Sequence, residues 1–487
     1  MGASRYNGPL EQVNDYCWRI PRSYKPGMRV DGLIYADKRL IDKIREDPAP
    51  EQVANVAFLP GIQRASLAMP DIHWGYGFCI GGVCATDPKQ GGVISPGGVG
   101  YDINCGVRLV RTNLELSDVA PHKEALIDEL FQQVPAGVGR SGKYRFSRTD
   151  LDRLMREGPS ALERWDLVTD GDIEHTEAHG CLDGAEPQRL SDRAHERGAD
   201  QCGTLGAGNH FLEVQVVDRL FDAIAARAMG LAEGMVCVMI HSGSRGLGYQ
   251  VCDDALRMLR GVPRKYGISL PDRQLACAPI ESHEGQTYLG AMRAAANFAW
   301  CNRQLLMWQA RECFETVFGR SWLSLGMNLV YDVAHNIAKL ETHQVGGHEK
   351  KVWVHRKGAT RAFPAHHPEV PRAFRHVGQP VLIPGDMGRA SWVLVGRPGS
   401  MRETFGSACH GAGRRLSRKA AVREAQGRRI DRELAHVGVI ARARSHRGLA
   451  EEQPAAYKDV DEVVEIVHRA DLAAKVARLR PIGVIKG

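Results

Sequence analysis

The stretch Gly97–Val110 reads "GGVGYDINCGVRLV", with four glycines in fourteen positions. Glycine at this density marks tight turns and close backbone approach, not helix. Within it Asp102 and Cys105 stand three apart, between Gly100 and Gly106. A turn uses the glycines but has no need of a carboxylate and a thiol side by side. The stretch is therefore either a tight turn that holds a cysteine or half of a metal site, and spacing alone leaves both open.

The same texture extends on either side. From Met69 to Leu114 short apolar runs alternate with glycine-rich turns, as in "MPDIHWGYGFCIGGVCATD". Upstream, residues 1–60 are mixed, with a helical pattern at "ADKRLIDKIRED". Downstream, "HKEALIDELFQQV" predicts an amphipathic helix, and Lys143–Asp200 short helices and loops. "NHFLEVQVV" alternates as a strand does, and "GMVCVMI" predicts a buried strand. A long helical pattern runs through "GQTYLGAMRAAANFAWCNRQLLMWQARECFETVF". "KVWVHRK", "PVLIPGDMG" and "ASWVLVG" predict strands, the last two forming a hairpin, and beyond Cys409 the pattern turns helical and basic. No repeat or flexible linker divides the chain. These patterns predict one large α+β catalytic unit, with residues 250–320 a candidate helical subdomain.

The composition is that of a globular protein, 43% hydrophobic and 25% charged over 487 residues. A chain of this length buries a large core without metal or disulfide staples, so a metal site here is expected to be functional. Twelve cysteines show no framework spacing and no secretory leader opens the chain, which points to a cytoplasmic protein with reduced thiols. The opening "MGAS" is like a myristoylation signal, but Tyr6 stands where that signal wants Ser or Thr. No apolar run approaches the roughly eighteen residues of a membrane span. The net charge of +7 fits a polyanionic partner. Ten arginines crowd Arg414–Arg447, as a solvated helix face or as a phosphate-binding flank.

Four histidines sit in settings that suit ligands or nucleophiles: His210 in "GAGNHFLEV", His241 in "VMIHSGSRGLG", His335 in "YDVAHNIAK" and His410 in "SACHGAGRRLS". Any one of them alone is more often a satisfied core or turn residue. Taken with Asp102 and Cys105 they offer a mixed donor set that suits a borderline metal ion, and their dispersal is that of a catalytic centre gathered by the fold, although spacing alone is a weak signal for it. Phosphate-handling loops accompany them: Arg245 in "HSGSRGLG", Lys357 in "HRKGATRAFPA", Arg414 and Arg418 in "GAGRRLSRKAA". There is no P-loop, and no lysine in a K-x-D-G setting. If a nucleotide is activated covalently, His410 is the best candidate, with Gly411 and Gly413 leaving room for a triphosphate. A buried turn histidine is the bland alternative.

Eight blocks, among them "SPGGVGYDINCGVRLVRTNL", "GAGNHFLEVQ", "YDVAHNIAK", "ETFGSACHGAGRRLSRKAA" and "RPIGVIKG", together resemble the RtcB family from about residue 25 to the last. The resemblance implies a GTP-dependent RNA ligase that joins a 3′-phosphate or 2′,3′-cyclic phosphate to a 5′-hydroxyl, in tRNA splicing or RNA repair. It implies a single α+β domain of its own kind, two Mn²⁺ ions, and ligands Asp102, Cys105, His210, His241 and His335, with Cys105 bridging. His410 matches the guanylylated histidine. Asn209, Glu213, Ser391, Gly411, Ala412, Gly413, Tyr457 and Lys486 match the nucleotide pocket, and Arg197, Arg245, Lys357, Arg414 and Arg418 the RNA- or phosphate-binding positions. Asp71 and His73 fall in a matching block beside the site. RNA and GTP are the implied partners, with an activating protein left open and no membrane. Two positions depart from the pattern: Asp386, in the pocket where relatives carry a small hydroxyl residue, and Tyr249 in place of a histidine. A metal-dependent phosphodiesterase, a non-catalytic RNA-binding subunit and a paralogue with altered nucleotide use are the competing functions.

Overall fold

The computed structural model describes residues 5–487; Met1–Ser4, where the lipidation-like start falls, lie outside them. Two large sheets carry the chain. One runs in the order Glu11–Asn14, Cys17–Ile20, Asp31–Tyr35, Ile62–His73, Ile80–Thr86, His348–Lys357, Asn336–Val345. The other runs Asn328–Ala334, Gly106–Glu115, Met235–Ser242, Phe211–Leu220, Ala473–Lys486, Ser391–Gly396, Pro380–Ile383, with Ile440–Ala443 pairing parallel to Ala473–Lys486. The hairpin foreseen at residues 380–396 is present and antiparallel.

The strand Met235–Ser242 is apolar on both faces because both are covered. Val236, Val238 and Ile240 pack with Leu306, Met307 and Ala310 of the 36-residue helix His283–Phe318. Cys237 and Met239 face the other way, toward Leu382 and Val393 of the far strands of the same sheet. The long helix is capped by the Ser282 hydroxyl, which accepts from the Gly285 amide, and closed by Gly319 in the left-handed region. It is buried over most of its circumference, so its polar side chains Asn302, Arg303 and Gln304 project into the core.

The C-terminal segment departs from the expected helical texture. Short helices follow Cys409, but the last fourteen structured residues form the strand Ala473–Lys486 inside the eight-stranded sheet. Pro481 argues against a central strand, because it has no N–H for the ladder. The register slips between Pro481 and Gly483, and this irregularity accommodates it.

The topology places the site. Gly106–Glu115 and Phe211–Leu220 begin where Met235–Ser242 and Asn328–Ala334 end: Gly106 pairs with Ser242 and Ala334, and Phe211 pairs with His241. Cys105, His210, His241 and His335 all stand at this one end of the sheet.

Candidate active site

The end of the sheet forms the floor of a cavity of about 250 Å³. Cys105 Sγ lies 3.4 Å from His210 Nε2 and 3.2 Å from His241 Nε2. His210 Nε2 lies 2.8 Å from Asp102 Oδ2, and His241 Nε2 3.3 Å from His335 Nε2. The ligand atoms of Cys105, His210 and His241 all fall within 4.8 Å of one another. The five residues expected as ligands are thus brought together from positions 102 to 335.

Their arrangement suits a cation. His210 Nδ1 lies 3.0 Å from both the Leu205 carbonyl and the Arg245 guanidinium, so either tautomer finds a partner on that nitrogen. Nε2 faces the Asp102 carboxylate and the Cys105 sulfur, so a cation bound among them would be held by N, O and S donors together. Burial lowers the pKa of His210 and, strongly, of His241 and His335, so imidazolium does not supply that charge. Burial also holds the Cys105 thiol well above its usual range, and the neighbouring Asp102 charge adds to this; a metal ion would reverse it. Asp102 is held low despite burial, by His210 and Arg245. His335 Nδ1 is buried without a hydrogen-bond partner. The S, N and O donors fit a borderline divalent ion.

The backbone is shaped for this. Asn104 takes a positive φ of 52° between the two ligands of its loop. At Gly243 a Cβ would lie 2.4 Å from the Asp102 carboxylate oxygens, so only glycine fits. Arg303 of the long helix donates to the carbonyls of Asn104 and Ser242, pinning the chain on both sides of the cluster.

His410 is on the cavity wall beside the cluster, its ring 4.8 Å from that of His335. Its Nδ1 is 2.6 Å from Asp71 Oδ2, which also accepts from the His410 amide at 3.0 Å. The carboxylate fixes the tautomer with Nδ1 protonated and leaves Nε2 with a free lone pair. At Gly413, with φ +75°, a Cβ would strike the Asp71 carbonyl at 2.2 Å. His73, whose Nδ1 is 3.0 Å from the Asp71 carbonyl, also lines the cavity.

The cavity is lined further by Asn209, Glu213, Asp386, Gly411, Ala412, Gly413, Tyr457 and Lys486. Burial raises Glu213 to about 7; Gln215 and Lys486 oppose this and Asp386 reinforces it. Asp386 is raised to about 6 by burial. Arg389 is within ion-pair reach of it, at 3.4 Å, as its spacing suggested, while Oδ2 has no hydrogen bond. Ser391 sits behind the wall, accepting from Gln215 at 3.0 Å. Glu452, which the sequence did not single out, ties Arg414, Tyr457 and Lys486 together.

The basic positions divide. Arg414 and Arg418 line the cavity. Arg245 stands beside it, Nη1 3.0 Å from His210 Nδ1, and Arg197 donates to Gln250 of the same helix as Arg245. Lys357 is buried and donates to the Tyr76 and Phe78 carbonyls, so its ammonium is already committed to the loop beside the site.

Comparison with known proteins accords with this geometry. A family model described as tRNA-splicing ligase RtcB matches residues 52–487. The chain belongs to the RtcB family. It is 56% identical to the tRNA-splicing ligase RtcB of Thermococcus kodakarensis over 98% of this chain and 99% of that one. Identity is also 56% with the Archaeoglobus fulgidus protein of the same name, over 99% of both chains. With the RNA-splicing ligase RtcB of Mycobacterium tuberculosis it is 53%, over 90% of this chain and all of the other. Among the described residues no helix is long and apolar enough to cross a membrane.

Proposed function

We propose that this chain joins an RNA 3′-phosphate or 2′,3′-cyclic phosphate to a 5′-hydroxyl through a covalent His410–GMP intermediate, using GTP and two Mn²⁺ ions. The observation that carries this is His410, held by Asp71 with Nε2 free, between a Cys/His/Asp cluster and a wall bearing Glu213, Tyr457 and Lys486. A phosphodiesterase needs the cluster but not that second wall.

His410 Nε2 attacks the α-phosphorus of GTP, a P–N bond forms, and the bond to the β-phosphate oxygen breaks with release of pyrophosphate. The Nδ1 proton stays on the ring, where the Asp71 carboxylate balances the charge that develops. An oxygen of the RNA 3′-phosphate then attacks the phosphorus, and the P–N electron pair returns to Nε2. The 5′-hydroxyl oxygen attacks the activated 3′-phosphorus, loses its proton, and GMP leaves. A cyclic end is first hydrolysed to the 3′-phosphate. Mn²⁺ held by Asp102, Cys105, His210, His241 and His335 supplies Lewis-acid stabilisation of phosphate charge when bound. Cys105, central to the cluster, would supply a thiolate to the bound metal. Glu213 and Lys486 suit the hydrogen-bonding edge of guanine, and Arg245, Arg414 and Arg418 suit phosphates.

Incubation with α-labelled GTP and Mn²⁺ tests this. Wild type acquires an acid-labile label and His410→Ala none; equal labelling of the two overturns the nucleophile. Cys105→Ser loses bound Mn²⁺ on metal analysis, and an unchanged content overturns its role as a ligand. The buried Asp386 carboxylate, whose Oδ2 has Arg389 at 3.4 Å and no hydrogen bond among the described residues, favours a second reading, altered nucleotide choice. Labelling by GTP, ITP and ATP then shifts in ratio in Asp386→Ser.

A further inference from the structure

Beside the metal cluster an aromatic ladder reaches the surface. Tyr101, the neighbour of Asp102, stacks on Tyr249 with ring centroids 4.7 Å apart and planes at 27°. Tyr76 meets Tyr101 edge-on at 5.7 Å. Tyr249 is 48% exposed, although burying such a ring is favourable. It lies on the helix Arg245–Met258, whose first residue touches His210. The Arg197 guanidinium stands over the Tyr249 ring, 5.2 Å from its centroid, in a cation–π contact that adds a positive charge to the ladder. Tyr76 and Tyr101 also form one wall of a groove of about 840 Å³. Its other lining includes Arg260, Arg264 and Arg273, all exposed. Among the described residues none of these three makes an ion pair, whereas Arg257 in the same groove is held by Asp253 at 2.6 Å.

A loop needs packed aromatics, not exposed ones, and a solvated face usually pairs its arginines with acids. An exposed ring stacked on a half-buried one and leading into unpaired arginines instead matches a polyanion with planar groups. Each base has a face to stack and each linkage a charge to neutralise. We propose that single-stranded RNA leaves the active site along this path, one base stacking at Tyr249 and the backbone following Arg260, Arg264 and Arg273. The proposal rests on the RNA-ligase function above and adds the residues that grip the strand outside the reacting centre.

The test uses the full chain with Mn²⁺, GTP and a short RNA bearing a 3′-phosphate and a 5′-hydroxyl. Tyr249→Ala raises the KM for RNA roughly tenfold, with kcat and His410 labelling unchanged, and Tyr249→Phe restores the wild-type KM. The Arg260→Ala/Arg264→Ala double variant, at exposed positions that do not threaten folding, raises KM and lowers the salt dependence of binding by a slope of about 1.4. Fluorescence anisotropy of the same RNA gives parallel losses of affinity. Unchanged KM and affinity in both variants overturn the proposal, as does a loss in Tyr249→Phe equal to that in Tyr249→Ala. Failure of the wild type to label or ligate would overturn the ligase function instead, and anisotropy would still decide the path.

Discussion

Two sets of buried polar groups meet at the end of the eight-stranded sheet, and they are built on opposite rules. Around Arg303 every N–H is used: Nε and Nη2 hold Asp332, Nη2 also holds the Asn104 side chain, and Nη1 holds the Asn104 and Ser242 carbonyls. Arg108 shares the same carboxylate at 2.8 Å. This network is closed on itself. One residue away, Cys105, His210, His241 and His335 converge their sulfur and ring nitrogens on one another, and among the described residues His335 Nδ1 and Asp71 Oδ1 are buried without hydrogen-bond partners. That set is open. The closed network fixes positions; the open one is left in need of a cation and a substrate. Burying polar groups unpaired costs stability, so such a set is retained for function and not for the fold.

The largest effect that would break this comparison is on folding. Arg303→Met leaves Asp332 and two backbone carbonyls buried with fewer donors, and about 3–5 kcal/mol of stability is expected to go. Urea unfolding of the metal-free protein measures it. A loss below about 1 kcal/mol would mean that the network is not what holds the two ligand loops.

A smaller change separates placement from stability on the His410 side. Asp71→Asn keeps an acceptor near Nδ1 but removes the charge that balances the ring as Nε2 reacts. Self-guanylylation is expected to slow roughly 10–100-fold, with the melting temperature nearly unchanged. A rate equal to wild type would leave Asp71 as a structural cap for residues 410–413 and nothing more.

The open set was readable in the sequence and the closed one was not. Asp102, Cys105 and the histidines carry unusual chemistry in glycine-rich settings, so residue type alone raised them as candidates. Arg303 lies in a long helical pattern where an arginine signals solvent; only the cover on all sides of His283–Phe318 turns it inward. Asp71 was legible as a neighbour of the site but not as the partner of His410, because 339 residues separate them. Glu452 was hidden in the same way, inside "GLAEEQPAAY", where acidic residues look like a helix surface. The buried strands and the hairpin announced themselves by period. The strand Ala473–Lys486 did not, since its proline contradicts the rule that its register shift then accommodates.

The nucleotide wall gives a pH test of intermediate size. Glu213 titrates in the native protein near 7, against an ordinary 4.5. The unfolded chain therefore releases this proton first. Between about pH 4.5 and 7 the native state binds more protons than the unfolded one, so this contribution to stability falls as pH rises through that window and is flat above it. Glu213→Gln removes the penalty. Without nucleotide the variant is expected to melt about 1–3 °C above wild type at pH 8, the gain vanishing toward pH 4.5. Asp386 slopes the same way in both proteins, so the difference between the two curves isolates Glu213. A gain that persists at low pH would place its origin in packing.

The smallest expected effect is the sharpest. Cys105 is buried beside the Arg303 network, and its sulfur is in contact with His210 and His241. If the cluster is an open set, its side chains contribute little to folding until a cation arrives. Cys105→Ser then changes the stability of the metal-free protein by less than about 1 kcal/mol, the cost of a small buried group with no unique partner. The same substitution removes most of the increment that Mn²⁺ adds to wild type, because an ion that binds only the native state stabilises it by mass action. Melting both proteins with a chelator and again with excess Mn²⁺ separates the two quantities. A large loss in the chelated protein would make Cys105 part of the closed network after all. A full metal increment in the variant would show that the sulfur is not the ligand around which the site is built.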